Sequence, residues 1–504
     1  MERIEQGSRI APDRRRRALL ALGAAAAFSF AAHGFLFANE FFSHDSVSYF
    51  TYATGTPAFY AGIGRFLIPL YELIKGAGAA PWLIGLLFTG WMWLASWIVA
   101  ETLEIRRASG VVLACGLLTT NLALTLTGAT YIYCMDEYAF ALLAAAAAVW
   151  LFGRGCWRMT AAGLGALVVS LAVYQPYFTV AAALCLLVIL RHLASGEAVG
   201  RVFRRGLRYL GLLAAGFLLY YGLWTGVCAA LGVDKRRVEE SVLGEGLGSL
   251  LNLWKTANVE YVGRLLDTEG VLGPLLVMVH ILLLAFLFWR LGALLADREL
   301  TAGSKVLLVV LTALLPTAFN AVSILMAGGA TQLMTFGGEL VYLLAVMCLE
   351  PARESGPPVW LRRAAAAALC LVLWQHIVYA NQVYLKKDLD KNATLVLAAR
   401  VLDRIEGTAG YVPGETPVAF VGRLDRNQEL NRGRAVFSDL EGTVGLWSDY
   451  AATYNLGRYL TDYLNADLVW DTETDFTDRA SEMPLFPAAG AVALIDGTVV
   501  VKLS

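Results

Sequence analysis

Charged residues are scarce in this chain, and it contains no cysteine motif. Charged side chains make up 16% of the 504 residues and hydrophobic ones 58%, with a mean hydropathy of +0.59. A soluble domain has about a quarter of its residues charged. The formal net charge of −1 gives no electrostatic reason to expect a nucleic-acid partner. The composition therefore predicts an integral membrane protein.

The seven cysteines form neither a Cys-x-x-Cys pair nor a Cys/His cluster. Spacing of that kind is typical of zinc sites and disulfide frameworks. Most of the cysteines lie in or beside apolar runs, and the polar C-terminal stretch has none. We interpret them as small interior residues of helices, and the sequence gives no reason to expect a metal or another cofactor.

Apolar runs of membrane-spanning length recur along the chain. A spanning helix needs about 20 mostly apolar residues, because lipid offers the backbone no hydrogen-bond partner. Bulky aromatic residues follow the first run, so we interpret it as an uncleaved span and not as a signal peptide. Eleven spans are predicted: 18–37, 81–100, 110–128, 138–153, 160–174, 178–192, 209–231, 271–295, 305–327, 337–350 and 362–381.

Lysine and arginine are unevenly distributed over the predicted loops. They occur in the N-terminal tail and in the loops near 106, 154, 191–208, 290–305 and 353–363, whereas the loops near 129–137, 175–177 and 328–336 have none. Basic loops stay in the cytoplasm, so this alternation predicts a cytoplasmic N-terminus, and eleven spans place the C-terminus outside the cell membrane. The predicted parts are a cytoplasmic tail (1–17), an all-α multispan core (18–382) and an extracytoplasmic domain (383–504).

The last part of the chain has the composition of a small soluble α/β domain. Residues 383–504 contain twelve Lys/Arg and eighteen Asp/Glu, a formal charge of −6. Two β-rich runs flank Asp496-Gly497, which is a strong hairpin signal. Strands are predicted at 416–421, 435–437, 491–495 and 498–502, and a helix at 447–463.

Acidic residues are almost missing from the predicted span interiors and gather at the outward ends of spans. They are Glu40, Asp45, Asp136, Glu137 and Glu339. A transporter normally keeps ionisable groups near the middle of the bilayer. The observed pattern instead favours a reaction at the outer membrane face.

The first outward loop carries four candidate residues: Glu40, His44, Asp45 and Arg65. A carboxylate of Glu40 or Asp45 could act as general base on a hydroxyl, and His44 could tune its neighbour Asp45. Arg65 could pair with a phosphate, for which a planar cation is well suited. A solvated polar loop is the alternative interpretation. The stretch 58–76 has an amphipathic pattern, and we expect it to lie flat at the outer interface.

Two short turns carry the other candidates. Asp136, Glu137 and Tyr138 stand between the third and fourth spans without a basic residue beside them. Gln175 and Tyr177 flank Pro176 between the fifth and sixth spans, where the amide could bind a sugar hydroxyl. An aromatic belt at the membrane interface and a proline-broken helix are the structural alternatives.

Together these motifs resemble the bacterial serotype-converting (Gtr-type) glucosyltransferases, polytopic enzymes of the GT-C class. The resemblance covers about 18–382. It implies a polyprenyl-phosphate-linked donor, typically undecaprenyl-phosphate glucose, and a cell-envelope glycan such as O-antigen as acceptor.

The resemblance also implies a single inverting displacement. In that scheme Asp45 is the expected base, with Asp136 or Glu137 as the alternative. Arg65 is expected to stabilise the departing phosphate. Substrate-binding roles then fall to Glu40, His44, Tyr138, Gln175 and Tyr177.

Two other functions are compatible with such a chain. A transporter or flippase of lipid-linked glycans would carry acids at mid-membrane depth and repeats between its halves. A non-enzymatic membrane protein that binds envelope glycan would tolerate Asp45→Asn and Asp136→Asn without any change in envelope chemistry.

Overall fold

The computed structural model describes residues 2–41, 56–76, 80–236, 246–267, 273–326, 330–350, 357–424 and 452–504. A large helical core is followed by a small four-stranded sheet domain, which confirms the predicted class of a polytopic helical protein with a C-terminal sheet. The helices of the first half are α1 (Glu2–Ala38), α2 (Pro57–Gly62), α3 (Ile68–Lys75), α4 (Pro81–Thr102), α5 (Ala108–Thr119), α6 (Leu122–Tyr131), α7 (Met135–Phe152), α8 (Trp157–Val173) and α9 (Tyr177–Ala194).

The second half of the core begins with the long helix α10 (Val199–Leu231) and ends with the longest, α17 (Val359–Glu406). Between them lie α11 (Gly246–Leu265), α12 (Gly273–Ala296), α13 (Ala302–Ala313), α14 (Leu315–Phe319), α15 (Ala321–Leu325) and α16 (Leu340–Leu349). A 3-10 turn, Phe336–Glu339, leads directly into α16.

Seven helical stretches of the described residues are long and apolar enough to cross a membrane. Every predicted span overlaps one of these or a shorter apolar helix such as α8, α13 or α16, and the predicted span 305–327 is divided over α13, α14 and α15. Two predicted spans, 110–128 and 138–153, share the single stretch Ala108–Phe152. The chain is therefore a multi-pass membrane protein by its helices, and the count of eleven stays a prediction.

Small residues allow α7 to lie at the centre of the core. Its alanines at 141, 145 and 148 are fully buried, and α4 and α8 pack on either side. Without a hydrophobic driving force between helices in lipid, close backbone approach of this kind supplies the packing energy. The alanine-rich sequence of α7 thus places the residues of its first turn deep among neighbouring helices.

The basic loops meet at one end of the bundle, here called the basic end (Arg17, Arg106, Arg107 and Arg191). Arg17 Nε donates to Glu101 at 2.7 Å. The carboxylate of Glu350 accepts from the backbone N–H groups of Arg106 and Arg107 at 2.7 and 2.8 Å, and its carbonyl accepts from Arg191 at 2.6 Å.

The opposite end of the bundle is here called the site end (Ala38, Met135 and Tyr177), because α1 finishes there and α7 and α9 begin there. The alternation of basic and non-basic loops in the sequence therefore corresponds to two physical ends of the bundle.

One predicted position needs correction. Glu339 was expected at the outward end of a span, but α16 has only ten residues. From Glu339 to Glu350, at the basic end, the helix covers about 16 Å at 1.5 Å per residue, whereas the hydrocarbon core of a bilayer is about 30 Å thick. Glu339 Oε1 accepts from Leu122 N at 3.0 Å, where α5 and α6 are separated by a break at Thr120-Asn121. Glu339 thus lies in the interior of the bundle.

The C-terminal sheet contains β1 (Pro417–Val421), β2 (Val469–Trp470), β3 (Val492–Ile495) and β4 (Thr498–Lys502) in the order β2-β1-β4-β3. β1 is parallel to β2 and β4, and β3 pairs with β4 as the predicted hairpin around Asp496-Gly497, both with positive φ. The predicted strand 435–437 lies outside the described residues. Helix α18 (Ala452–Arg458) and a π turn (Tyr459–Tyr463) occupy the described part of the predicted helix 447–463.

Helix α17 joins the core to this domain without a break. It has 48 residues and passes through position 383, where the domain was predicted to start. Its last turns bury Leu397, Val401 and Ile405 against Val418 and Val499 of the sheet. The domain is therefore built onto the end of a helix that begins in the membrane core.

Candidate active site

Helices α2 and α3 bring the segment after the first loop back onto the site end of the bundle. Thr56 caps α2 by accepting from Phe59 N at 3.2 Å, and Pro57 occupies the first helical turn. Gly64, between the two helices, has φ +78°, and a Cβ there would collide with the Tyr220 hydroxyl and the Gln175 amide. Glycine is required at this position because both the backbone conformation and the space exclude a side chain.

Side chains from α10 and from the α8–α9 turn hold this segment in place. Gln175 Nε2 donates to the carbonyl of Ile63 at 2.8 Å, and the Tyr220 hydroxyl donates to the carbonyl of Gly64 at 3.0 Å. Trp224 Nε1 donates to the carbonyl of Ala61 at 2.6 Å. Gln175 therefore positions the loop, and its expected contact with a sugar hydroxyl stays a prediction.

One face of α3 packs on the core, and the other remains apolar and exposed. Tyr71 and Lys75 are buried, whereas Leu70, Leu73 and Ile74 are exposed. An exposed apolar face is suited to the membrane interface that was predicted for this stretch. The buried face, however, carries polar groups into the bundle, which the amphipathic pattern alone did not indicate.

Arg65 lies between α2 and α3 against two stacked tyrosines. One of its terminal nitrogens (Nη1) donates to the Tyr138 hydroxyl at 2.7 Å, and the guanidinium lies 5.2 Å from the centre of the Tyr174 ring. The two tyrosine rings stack with their centres 3.7 Å apart, and Tyr177 meets Tyr174 edge-on at 5.0 Å. A guanidinium has five N–H donors, so the bond to Tyr138 leaves others available for a phosphate.

The two acids between the third and fourth predicted spans, Asp136 and Glu137, pair with a lysine from α3. Lys75 Nζ donates to Glu137 Oε1 and to the carbonyl of Tyr133, and it lies 3.5 Å from Asp136 Oδ1. The Tyr71 hydroxyl donates to Asp136 Oδ2 at 2.9 Å. Both carboxylates are fully buried. We call Tyr71, Lys75, Asp136 and Glu137 the acid–lysine cluster.

The charge balance of the acid–lysine cluster is uneven. Burial by itself lowers the pKa of Lys75, but Glu137 and Asp136 outweigh that effect and hold the pKa above its usual value. The ammonium therefore stays charged, and it faces two carboxyl groups. Among the described residues, Glu137 Oε2 has no hydrogen-bond partner. A buried acceptor in this state is available to a proton or to a ligand hydroxyl.

The structure brings together six of the nine predicted site residues. Arg65 belongs to the α2–α3 segment, and around it lie Asp136, Glu137, Tyr138, Gln175 and Tyr177. Asp45 and His44 lie outside the described residues. Within the described part of the chain, no group of three His, Cys, Asp or Glu side chains is placed to hold a metal ion.

Glu40 is separate from these six residues. It lies half-buried at the end of α1 and forms a hydrogen bond with Tyr463 of the C-terminal domain. Burial and this carboxylate raise the pKa of Tyr463.

Lys75 and Tyr71 were missed as site residues, although the sequence contained a signal. They stand four residues apart in an apolar stretch, which places both on one face of a helix. A lysine on an otherwise apolar helix face needs a buried partner, and the acids Asp136 and Glu137 had no basic neighbour of their own. Those two observations could have been combined.

A bundle of apolar helices with buried acids and an arginine at one end defines the class of this chain, a multi-pass membrane protein with a polar site at one end of its helices. The family model described as Glucosyl transferase GtrII matches residues 34–348, which is more than half of the chain. The chain belongs to this glucosyltransferase family, and the predicted Gtr-type resemblance is confirmed. No curated protein and no solved structure matches the chain.

Proposed function

We propose that this membrane glucosyltransferase moves glucose from a polyprenyl-phosphate carrier to a hydroxyl of a cell-envelope glycan at the outer face of the cell membrane. The observation that carries the proposal is the convergence of Arg65 with the acid–lysine cluster at the site end. Phe41 and Thr56, which border the segment containing Asp45, lie at the same end.

The proposed reaction is one inverting displacement at the anomeric carbon. A carboxylate takes the proton of the acceptor hydroxyl, and the hydroxyl oxygen forms a bond to the anomeric carbon. The bond from that carbon to the phosphate oxygen breaks, and its electron pair leaves with the lipid phosphate. Asp45 is the proposed base, and Asp136 or Glu137 is the alternative base. The proposed reaction requires no metal or other cofactor.

Arg65 is proposed to stabilise the departing phosphate. Its stacked tyrosines hold the guanidinium in one orientation, which is a condition for catalysis by a preorganised charge. A lysine would bring the charge but not the planar fork of donors. The arginine thus supplies both the charge and the geometry that a phosphate leaving group needs.

The test is glucose transfer by purified protein in lipid nanodiscs with undecaprenyl-phosphate glucose and an envelope glycan. We expect Asp45→Asn and Arg65→Ala each to lower transfer at least about a hundredfold, as a lost general base or charge stabiliser does. Asp234→Asn, at an exposed carboxylate beyond α10, is the matched control and should retain activity. Full activity of the Asp45 variant would remove that residue from its role.

One structural observation favours the transporter alternative: Glu339 and His376 place ionisable groups inside the bundle. A flippase would move the donor lipid between leaflets without a glycan acceptor. Fluorescent polyprenyl-phosphate glucose in proteoliposomes separates the two functions: an enzyme needs acceptor to consume the lipid, whereas a flippase equilibrates it without acceptor.

A further inference from the structure

Two cations lie beside the end of α10, at the site end of the bundle. After Leu231, Gly232 has φ +64°, and the chain turns back along the helix. The backbone N–H of Arg236 donates to the carbonyl of Gly62 at 2.8 Å, which anchors the returning chain on α2. We call Lys235 and Arg236 the basic pair.

Both side chains of the basic pair lie on aromatic rings and not on carboxylates. Lys235 Nζ is 3.8 Å from the centre of the Tyr221 ring and 4.9 Å from that of the Trp224 ring. The guanidinium of Arg236 lies 5.5 Å from the centre of the Phe59 ring. Among the described residues, neither cation forms an ion pair. The rings hold the cations in place and leave their charge unneutralised.

The position of Lys235 along α10 sets its depth in the membrane. Its ammonium donates to the hydroxyl of Thr225. From Arg208, which is exposed near the basic end, to Thr225 the helix rises about 26 Å at 1.5 Å per residue. The hydrocarbon layer is about 30 Å thick, so the ammonium lies close to the boundary of that layer at the site end. A charge at this depth is stabilised by an anion, and the described residues supply none.

The basic pair is open to the bilayer. Tyr221 is 41% exposed, and Leu218, one turn nearer the middle of α10, is 68% exposed. Phe59 of α2 and the side chain of Arg236 are exposed as well. A lipid can therefore place its phosphate on the basic pair and its chain along α10 without any movement of the helices.

Aromatic rings connect the basic pair to the candidate active site. Trp224, which lies against Lys235, stacks on Tyr220 with the ring centres 5.9 Å apart. The Tyr220 hydroxyl donates to the carbonyl of Gly64 at 3.0 Å, and Arg65 is the next residue. The basic pair thus adjoins the candidate active site on its lipid-facing side.

Charge selects the lipid that this surface fits. Phosphatidylglycerol and the proposed donor are phosphodiesters with one negative charge. The polyprenyl phosphate that remains after transfer is a monoester, and a phosphate monoester carries about 1.5 to 2 negative charges at pH 7. Coulomb attraction grows with the product of the charges, so two unpaired cations favour the monoester over a diester.

We propose that the basic pair binds the phosphate of the polyprenyl-phosphate carrier after this lipid has given up its sugar and left Arg65. The proposal rests on the proposed function for the source of the lipid. Sugar transfer raises the negative charge of the phosphate, and the larger charge favours two cations over the single guanidinium of Arg65. The basic pair is therefore a docking surface for the released carrier.

The experiment measures lipid binding by native mass spectrometry of the protein in nanodiscs. The probes are undecaprenyl phosphate, which is a monoester, and two diesters, undecaprenyl-phosphate glucose and phosphatidylglycerol. The parent protein carries Arg65→Ala, so that the candidate active site does not contribute. We expect undecaprenyl phosphate to bind about fivefold more tightly than either diester, because its additional charge faces the basic pair.

Single variants assign the binding to the basic pair. Lys235→Gln and Arg236→Gln should each weaken the binding of undecaprenyl phosphate about fivefold. Lys255→Gln removes an exposed lysine of α11 and is the matched control, so it should bind this lipid as the parent does. Neither test substitution alters the backbone N–H that anchors the chain on Gly62, and an unchanged Tm shows that each variant is folded.

Three results would overturn the proposal. Equal binding of the three lipids by the parent would mean a general contact with anionic lipids. Parent-like binding by both Gln variants would place the phosphate elsewhere. Displacement of undecaprenyl phosphate by an equal concentration of inorganic phosphate would show that the surface does not recognise a lipid.

The proposed function can fail separately. A wild-type protein that transfers no glucose, while undecaprenyl phosphate still binds at the basic pair, would refute the proposed function and leave the docking surface standing. Glucose transfer by the wild type, together with parent-like lipid binding in both Gln variants, would refute the docking surface and leave the proposed function standing.

Discussion

Removal of Lys75 tests whether the acid–lysine cluster is a buried ion pair that holds α3 on the core. Lys75→Met keeps a long apolar side chain and removes the ammonium that faces Glu137 and Asp136. Both carboxylates have no exposed surface, so water cannot replace the lost partner. Breaking a buried pair by removing one member costs about 3–5 kcal/mol. A loss of that size is a large fraction of the 5–15 kcal/mol by which folded proteins are typically stable.

The double variant gives the coupling between the partners. Glu137→Gln removes one negative charge and leaves Lys75 paired with Asp136, so we expect a smaller loss of about 1–3 kcal/mol. In the Lys75→Met/Glu137→Gln variant the penalty of the unpaired Glu137 carboxylate disappears. The double variant should therefore be more stable than the sum of the single losses predicts, by at least about 1 kcal/mol.

The assay is unfolding of the purified protein in bicelles by a denaturing detergent, followed by circular dichroism. Lys255→Met removes an exposed lysine of α11 and serves as the matched control, with an expected change within about 0.5 kcal/mol. A Lys75→Met protein as stable as this control would show that no buried ion pair forms there. Additive single losses would show that Lys75 and Glu137 do not interact.

Three further predictions concern the α2–α3 segment. Gly64→Ala should destabilise the protein by about 1–3 kcal/mol in the same assay, since the backbone has positive φ and the Cβ collides with its neighbours. The control Gly76→Ala has the same φ but open space around it, so it should lose only the stability that the backbone strain costs. Arg65→Lys should bind donor lipid but transfer glucose at least about tenfold more slowly, because a lysine cannot reproduce the planar fork, and equal rates would contradict the phosphate role. Burial raises the pKa of Glu72, so its contribution to stability is present below the unfolded pKa of about 4.3 and is lost as pH rises through the folded value. Glu72→Gln should accordingly flatten the pH dependence of stability on the acidic side, and an unchanged titration would show that Glu72 is solvated.

The elements with strong local signals could be predicted from the sequence. Each long apolar run became helical, as one helix or as several shorter ones, and Asp496-Gly497 became a hairpin, because these features depend on residues that are close in the chain. The alternation of basic loops likewise predicted which loops meet at one end. The GtrII family followed from short motifs in the first three outward turns.

The features that the sequence did not reveal depend on partners distant in the chain. Lys75 and Glu137 are 62 positions apart, so the pattern around either residue alone does not indicate that they meet. The break between α5 and α6 was hidden because Thr120-Asn121 lies within a continuous apolar run. That break and the short α16 place Glu339 in the interior, where the acid-poor pattern of the spans had suggested none.

The contact between Glu40 and Tyr463 shows how the C-terminal domain relates to the site end. The domain is joined to the core by α17, and the hydrogen bond from its π turn reaches the end of α1, directly before the loop that contains Asp45. The family match ends at residue 348 and does not include α17 or the domain.

The central claim is that the site end works outside the cell membrane on a lipid-linked sugar. Its most direct test is cysteine labelling in right-side-out membrane vesicles, with the exposed Cys156 and Cys370 first replaced by serine. An impermeant maleimide should label Thr56→Cys in sealed vesicles and Ser195→Cys, at the basic end, only after permeabilisation. Labelling of Ser195→Cys in sealed vesicles, with Thr56→Cys protected until they are opened, would place the proposed chemistry in the cytoplasm and contradict the account.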